Sequence, residues 1–203
     1  MTLTGHNEKV LIMKMFLCFL ILIFSFQSFS KADDIREFEI EGMSVGDSLL
    51  DYIDLIEINS LSTSNTSGSK KYTRYAEVKK KNNSENYEGA DVWVLSNDSK
   101  YEIHSLTGYI EYTENIDECY PKKKEIVSSI EKQLNVKNYS YISNYDENTS
   151  KSDVTDFDFS NGKIRIYCTD YSKKKEELGY GDFLGVTVSN TKFLNWLDNE
   201  AYK

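Results

Sequence analysis

The sequence predicts an α+β domain in which three helices pack on an antiparallel sheet of about six to eight strands. Short segments rich in aromatic and β-branched residues recur between polar turns, which is the pattern of antiparallel strands. Three other segments carry apolar residues at helical spacing. The 15 tyrosines and 10 phenylalanines also argue against a disordered chain, because disordered segments are poor in aromatic residues.

The first predicted elements are a short alternating segment and a helix. The alternation over residues 33–41 ends at Gly42, and glycine interrupts strands. Asp47 is a suitable N-cap for the helix, whose inward residues are Leu49, Leu50, Ile53 and Ile56. Residues 59–71 are rich in serine, threonine and asparagine, so we expect a flexible loop there.

Two groups of four strand segments follow, with a helix after each. The strands are predicted at 72–80, 90–95, 101–105 and 108–113, then at 139–145, 154–160, 163–169 and 183–188. The second helix has inward residues Ile126, Val127, Ile130 and Leu134, and it either begins near Pro121 or is kinked there after a start at Asn115. The third begins near Asn190, with Phe193, Leu194, Leu197 and Ala201 inward. This order also suits two helix-plus-meander repeats, with the helices on one face of the sheet.

The strongest local signal is Asn161-Gly162, which predicts a two-residue hairpin turn between alternating segments. In the strand before it, two phenylalanines alternate with Asp156 and Asp158. Asp156 to Ser160 resembles the start of a calcium loop, but such a loop requires glycine at its sixth position and glutamate at its twelfth. We therefore expect these aspartates to face solvent.

Two cysteines lie in the domain, Cys119 and Cys168. Cys168 shares a strand face with Ile164 and Ile166, and we expect the second helix to cover that face. An even number of cysteines in an exported domain favours a disulfide between them. The alternative is a pair of buried free thiols.

The N-terminus has the pattern of a secretory signal peptide. Lys9 and Lys14 precede an uninterrupted apolar run at 15–24, and small residues follow at Ser30 and Ala32. We expect cleavage after Ala32, residues 1–32 as the signal peptide and 33–203 as one domain that is periplasmic or secreted, without membrane attachment. Residues 1–12 could be an artefact of start-site choice, and an uncleaved anchor is the alternative reading.

Charge and motif content narrow the possible functions. The formal net charge of −9, with only three arginines, argues against a nucleic-acid partner. Gly42 to Gly46 matches the G-x-S-x-G elbow around Ser44, but the domain has a single histidine, His104, and we expect a structural turn. One histidine also argues against a multi-histidine metal site, and no cofactor motif is present. The lysine triplets at 79–81, 122–124 and 173–175 are expected to be solvated.

Aromatic strands offer the best candidate for recognition. Tyr109, Tyr112, Tyr139 and Tyr141 could form a binding surface, although half-buried strands favour tyrosine for packing alone.

Three segments, 33–53, 115–130 and 185–200, resemble a family of small exported, periplasmic proteins of unassigned function from marine bacteria with AT-rich genomes. Pro121 departs from the second pattern. The resemblance implies export and transfers no site residues. In architecture alone, helix-plus-meander units resemble β-lactamase inhibitor proteins and small outer-membrane assembly lipoproteins, which are binding modules.

The sequence therefore predicts a non-catalytic periplasmic binding or protein-interaction module, whose partner is an envelope protein or a small ligand. We assign it no catalytic, cofactor-binding or metal-binding residues. Two alternatives stay open, an envelope hydrolase that uses carboxylates and a carrier of an apolar small molecule.

Overall fold

A computed structural model describes residues 34–66, 68–78, 87–134, 136–146 and 150–203, all within one compact unit, Ala32–Lys203. The strands are β1 (Glu39–Ile40), β2 (Met43–Ser44), β3 (Thr63–Thr66), β4 (Ser69–Val78), β5 (Gly89–Leu95), β6 (Ile103–Glu111), β7 (Asn138–Asp146), β8 (Ser150–Phe159), β9 (Gly162–Tyr171) and β10 (Phe183–Asn190). The helices are α1 (Leu55–Ser60), α2 (Cys119–Leu134), α3 (Lys173–Glu176) and α4 (Thr191–Asn199), with 3₁₀ turns at Ile35–Glu37, Leu49–Asp51 and Ile116–Glu118.

Eight strands form one antiparallel sheet in the order β3-β4-β5-β6-β10-β9-β8-β7. Each half is a meander of four strands preceded by a helix, and the last strands of the halves, β6 and β10, pair at the centre. The predicted α+β class and antiparallel sheet are confirmed. The described residues contain a fourth helix, the single-turn α3, which the sequence pattern does not predict.

The sheet has two different faces, because side chains alternate along each strand. The core face is apolar and includes Val92, Leu106, Val186 and Ile166, which pack with the N-terminal segment and α2. The open face carries the alternate residues, such as Trp93, Thr107, Thr187, Arg165 and Tyr139. The main core therefore lies on one side of the sheet, and polar and aromatic groups lie on the other.

A disulfide joins α2 to the core face. Cys119 and Cys168 are both buried and bonded, with their Cα atoms 6.0 Å apart. The predicted pairing, and the side of the sheet that α2 covers, are confirmed. Pro121 is the third residue of α2, where the backbone N–H has no partner within the helix, so proline removes no hydrogen bond there.

The last helix lies on the opposite face, which corrects the prediction that the helices share one face. α4 begins beside Asn190 as predicted, and Asn190 caps it by accepting the Phe193 N–H at 2.8 Å. Phe193 and Trp196 then pack on Tyr72 and Trp93, which belong to the open face. Helical spacing shows that a helix has an apolar side, but not which face of a sheet that side meets.

The predicted helix capped by Asp47 is wrong. Ser48 and Asp54 each cap a separate short element, the turn Leu49–Asp51 and α1. The Asp47 carboxylate instead accepts hydrogen bonds from Ser44 N–H at 2.9 Å and the Tyr52 hydroxyl at 2.5 Å. As a result Ile56, predicted to be inward, is 84% exposed.

Two strand boundaries also differ from prediction. The polar segment 59–71 is not one loop, because it contains β3 and the start of β4. The segments 101–105 and 108–113 form one strand, β6, that runs through Gly108. A Cβ at Gly108 would lie 2.8 Å from side-chain atoms of both Ile40 and Tyr87, so this glycine makes room for packing and does not end a strand.

The hairpin between β8 and β9 exists, but its turn is shifted by one residue. Phe159 pairs with Gly162, so Ser160 and Asn161 form the turn, and Gly162 begins β9. A Cβ at Gly162 would lie 2.2 Å from the Ser189 carbonyl oxygen. The glycine is required by this close approach to β10, and the predicted Asn-Gly turn is wrong.

Within the described residues, no helix is long and apolar enough to cross a membrane. The predicted signal peptide and the lysine triplet 79–81 lie outside the described residues. In the triplet 122–124, Lys123 is buried and pairs with Asp153 at 2.7 Å, so the expectation of a solvated face is wrong for this residue.

Candidate ligand-binding groove

The open face is organised in three rows that run across the strands. The register gives the first row as Trp93, Ser105, Ser189, Lys163 and Asp158. The second row is Asp91, Thr107, Thr187, Arg165, Asp156 and Tyr139. The third row is Gly89, Tyr109, Gly185, Tyr167, Val154 and Tyr141. Each row passes from β5 across the centre of the sheet toward β8 or β7.

Helix α4 covers one end of these rows and makes that end apolar. The rings of Trp93 and Phe193 lie 5.5 Å apart, and Tyr72 contacts Phe193 and Trp196 at 5.1 and 4.7 Å between ring centroids. The indole N–H of Trp196 donates to the Ser69 hydroxyl at 3.1 Å. This aromatic cluster fixes α4 on the sheet.

A groove of about 220 Å³ lies between α4 and the open face. Its apolar lining comes from Trp93, Val154, Tyr167, Phe193, Leu194 and Leu197. Its polar lining is Ser105, Thr107, Lys163, Arg165, Thr187 and Ser189. A concave, largely apolar site with a few placed polar groups is the usual form of a small-molecule site.

Paired hydroxyls cross the floor of the groove. Ser105 and Ser189 hydrogen-bond at 2.7 Å, and Thr107 and Thr187 at 2.8 Å. Both pairs join β6 to β10, the central strands of the sheet. In each pair one hydroxyl donates to the other, so the accepting hydroxyl keeps its own hydrogen for another acceptor.

A glycine lets one tyrosine lie flat beside this floor. A Cβ at Gly185 would lie 2.3 Å from the Tyr167 ring, so the ring covers the glycine on the neighbouring strand. Tyr109 covers Gly89 in the same way, because a Cβ at Gly89 would lie 2.5 Å from the Tyr109 hydroxyl. Tyr167 therefore offers an aromatic surface at one end of the groove.

A buried carboxylate holds the two cations of the groove wall. Asp156 is fully buried, and its carboxylate accepts from Arg165 Nε and Nη2 at 2.8 and 2.9 Å. It also accepts from Lys163 Nζ at 3.0 Å and from the Tyr139 and Tyr141 hydroxyls at 3.2 and 3.4 Å. These five residues form the charge cluster. The prediction that Asp156 faces solvent is wrong, because β7 and β9 cover it from both sides, whereas Asp158 is exposed as expected.

The Asp156 carboxylate and the Lys163 ammonium of the charge cluster stay ionised near neutral pH. Burial alone would raise the pKa of the Asp156 carboxyl, but the hydrogen bonds and charges of Arg165 and Lys163 outweigh burial and lower it. Burial alone would lower the pKa of Lys163. Its hydrogen bonds to Tyr139 and Asp156, and the charges of Asp156 and Asp158, raise that pKa instead. The groove wall therefore keeps both cations.

The predicted aromatic surface is partly assembled. Tyr139 and Tyr141 lie on the open face with their rings stacked 6.0 Å apart, and Tyr109 shares this face. Tyr112 packs against the main core instead. The residues that sequence reasoning missed are Trp93, Lys163 and Arg165, although the alternation of β9 separates both cations from Ile164 and Ile166.

The G-x-S-x-G motif has a structural role. Glu41 and Gly42 have positive φ values of 54° and 71° at the hairpin between β1 and β2, which places Ser44 in a strand. The Ser44 hydroxyl donates to the Phe38 carbonyl at 3.1 Å, while His104 Nδ1 accepts from Asn190. Within the described residues these two side chains do not hydrogen-bond to each other, and the expected structural turn is what the motif forms.

Other candidate chemistry lies outside the groove. No group of three histidine, cysteine, aspartate or glutamate residues in the described part of the chain could hold a metal ion. Burial raises the pKa of Asp182, but this carboxylate accepts the Tyr171 N–H at 2.7 Å and does not line the groove. A second cavity of about 530 Å³ lies near the start of α4, with lining charges of both signs from Arg36, Glu102 and Lys192.

Comparison with known proteins gives no relative. No family model, no curated protein and no solved structure matches the chain with significance.

Proposed function

We propose that the protein is a non-catalytic binding module of the bacterial envelope, and that the groove between α4 and the open face is its ligand site. The observation that carries this proposal is the groove itself, in which apolar residues at one end and fixed polar groups along the floor line one volume of about 220 Å³. The predicted signal peptide and the bonded Cys119–Cys168 pair support an exported, oxidising location.

The chemistry of the groove supports binding more than catalysis. Its polar groups are hydroxyls paired with each other and cations held by Asp156. None of these pairs places a nucleophile against a general base, which is the arrangement that nucleophilic catalysis by side chains uses. At about 220 Å³ the groove is smaller than the usual ligand pocket of about 300–1,000 Å³, so it suits a small molecule or one end group of a larger one.

The test uses N-phenyl-1-naphthylamine, a neutral dye that fluoresces in apolar sites. Thr187→Phe places a ring on the floor of the groove, and we expect it to weaken dye binding at least about tenfold, since the ring fills the volume that the dye needs. The matched control is Thr63→Phe, on the exposed edge strand β3, which should bind as the unchanged protein does. Equal affinities in all three proteins, with unchanged melting temperatures, would exclude the groove as the ligand site.

A further inference from the structure

The charged lining of the groove is entirely cationic in an acidic protein. Among the described residues that line it, Lys163 and Arg165 carry the charge and no carboxylate takes part. The whole chain has 33 acidic and 24 basic residues. Although the chain is acidic overall, the lining that a ligand would contact carries two cations and no anion.

Lys163 and Arg165 lie at the opposite end of the groove from Trp93, beside the lining residues Tyr167 and Val154 of β9 and β8. Trp93 and Lys163 belong to the same row, with β6 and β10 between their strands. Three strand spacings separate them by about 14 Å. Phe193 and Leu197 of α4 pack with Trp93 and add to this apolar end. A ligand that fills the groove meets apolar side chains at one end and hydroxyls in the middle, and at the other end it meets two cations beside Tyr167 and Val154.

We infer that the groove binds a small amphiphilic organic anion, with its apolar body under α4 and its anionic group at Lys163 and Arg165. This inference rests on the proposed function, because it names the ligand class of the same site. A charge-assisted hydrogen bond is about twice as strong as a neutral one, so the cationic end selects for a negative group.

Arg165 is positioned before a ligand arrives. Its Nε and Nη2 bind the Asp156 carboxylate, and Nη2 also donates to the Tyr141 hydroxyl at 2.9 Å. Asp156 is fully buried beneath the two cations and does not line the groove. The guanidinium is therefore held in place at little further entropic cost on binding.

Lys163 has one contact that a ligand anion can replace. Its ammonium contacts Tyr139 at 2.9 Å, Asp156 at 3.0 Å and Asp158 at 3.4 Å. The Asp158 contact is the longest, and Asp158 is the exposed partner, with 60% of its side chain accessible. Exposed ion pairs contribute little to stability. Asp158 is therefore the partner of Lys163 that the anionic group of a ligand would replace.

The test compares two dyes that share one body. 8-Anilinonaphthalene-1-sulfonate differs from N-phenyl-1-naphthylamine by one sulfonate, and we expect the sulfonate to bind the unchanged protein at least about tenfold more tightly. Lys163→Gln should remove most of this difference. Asp158→Asn should strengthen binding of the sulfonate severalfold and leave the neutral dye unchanged, because it removes the competing carboxylate.

The control for overall charge is Lys151→Gln. Lys151 is also on the β8–β9 hairpin, but it lies on the opposite face of β8 from Asp156 and so faces the core side. Its substitution should change the affinity for neither dye. Equal affinity for both dyes, or no gain with Asp158→Asn, would overturn the anionic ligand class while the proposed groove stands. If Thr187→Phe leaves both dyes bound as before, the groove itself fails.

Discussion

Asn190 binds a buried histidine and caps a helix at the same time. Its Nδ2 donates to Nδ1 of His104 at 2.9 Å, while its Oδ1 accepts the Phe193 N–H at 2.8 Å. His104 is 1% exposed, and because Nδ1 accepts a hydrogen bond, the neutral ring carries its proton on Nε2. The Glu102 carboxylate lies 4.0 Å from Nε2. The position of α4, and with it the groove, therefore depends on a neutral histidine.

Acidification is expected to destabilise the protein through His104. Burial lowers the pKa of this imidazole, Lys192 lowers it further, and Glu102 and Asp98 oppose the shift without reversing it. Because the folded pKa is depressed, the stability is fully present above the unfolded pKa of about 6.5 and is lost as pH falls toward the folded value. Urea midpoints between pH 8 and pH 5 should fall more steeply for the unchanged protein than for His104→Gln. Parallel pH profiles for the two proteins would contradict this coupling.

Substitution of Arg165 alone should destabilise the protein more than substitution of Arg165 and Asp156 together. Arg165→Met leaves Asp156 buried with Lys163 as its remaining cation, and we expect a loss of about 3 kcal/mol in the free energy of unfolding. In the double variant Asp156→Val, Arg165→Met no unpaired buried carboxylate remains, so about half of the loss or more should be recovered. Urea denaturation measures both, and additive losses in the double variant would argue against this account.

Two glycines should respond differently to the same substitution. Gly162→Ala places a Cβ 2.2 Å from the Ser189 carbonyl oxygen and 2.4 Å from Ile35 Cδ1, and a backbone atom cannot move aside easily. We expect it to lower the free energy of unfolding by about 3 kcal/mol. Gly185→Ala meets the Tyr167 ring, which can rotate away, so its cost should be smaller while the shape of the groove changes. Similar unfolding midpoints for the two variants would show that the approach to β10 tolerates a side chain.

Loss of the disulfide should destabilise the fold without changing its topology. The bond closes a loop with a sequence separation of 49 residues, and loop entropy sets an upper limit of about 4 kcal/mol on its contribution. Cys119→Ala, Cys168→Ala should therefore have a lower melting temperature than the oxidised protein and a similar circular dichroism spectrum. Addition of a reductant should lower the melting temperature of the unchanged protein but not that of the variant. A reductant-insensitive melt would show that the bond contributes little.

Local patterns in the sequence were sufficient where one strand or helix decides the outcome. Strand alternation placed Ile164, Ile166 and Cys168 on one face, and the apolar spacing located α2 and α4. They failed where a contact that the pattern does not show competes for the same group. Asp47 accepts hydrogen bonds from Ser44 and Tyr52 and does not cap a helix. Gly162 is needed for the close approach to Ser189 and does not form a turn.

The sequence by itself determined the α+β class, the antiparallel pairing and the pair of cysteines, because these follow from side-chain periodicity and composition. Only the tertiary structure decided that α4 lies on the open face and that Asp156 is buried under Lys163 and Arg165. The position of α4 depends on strands that are far apart in sequence, and the burial of Asp156 depends on the register of the consecutive strands β7, β8 and β9. Register is set by the packing of the whole sheet, and a local sequence pattern does not contain that information. The groove, which needs Trp93 and Lys163 in one row, is a product of that register.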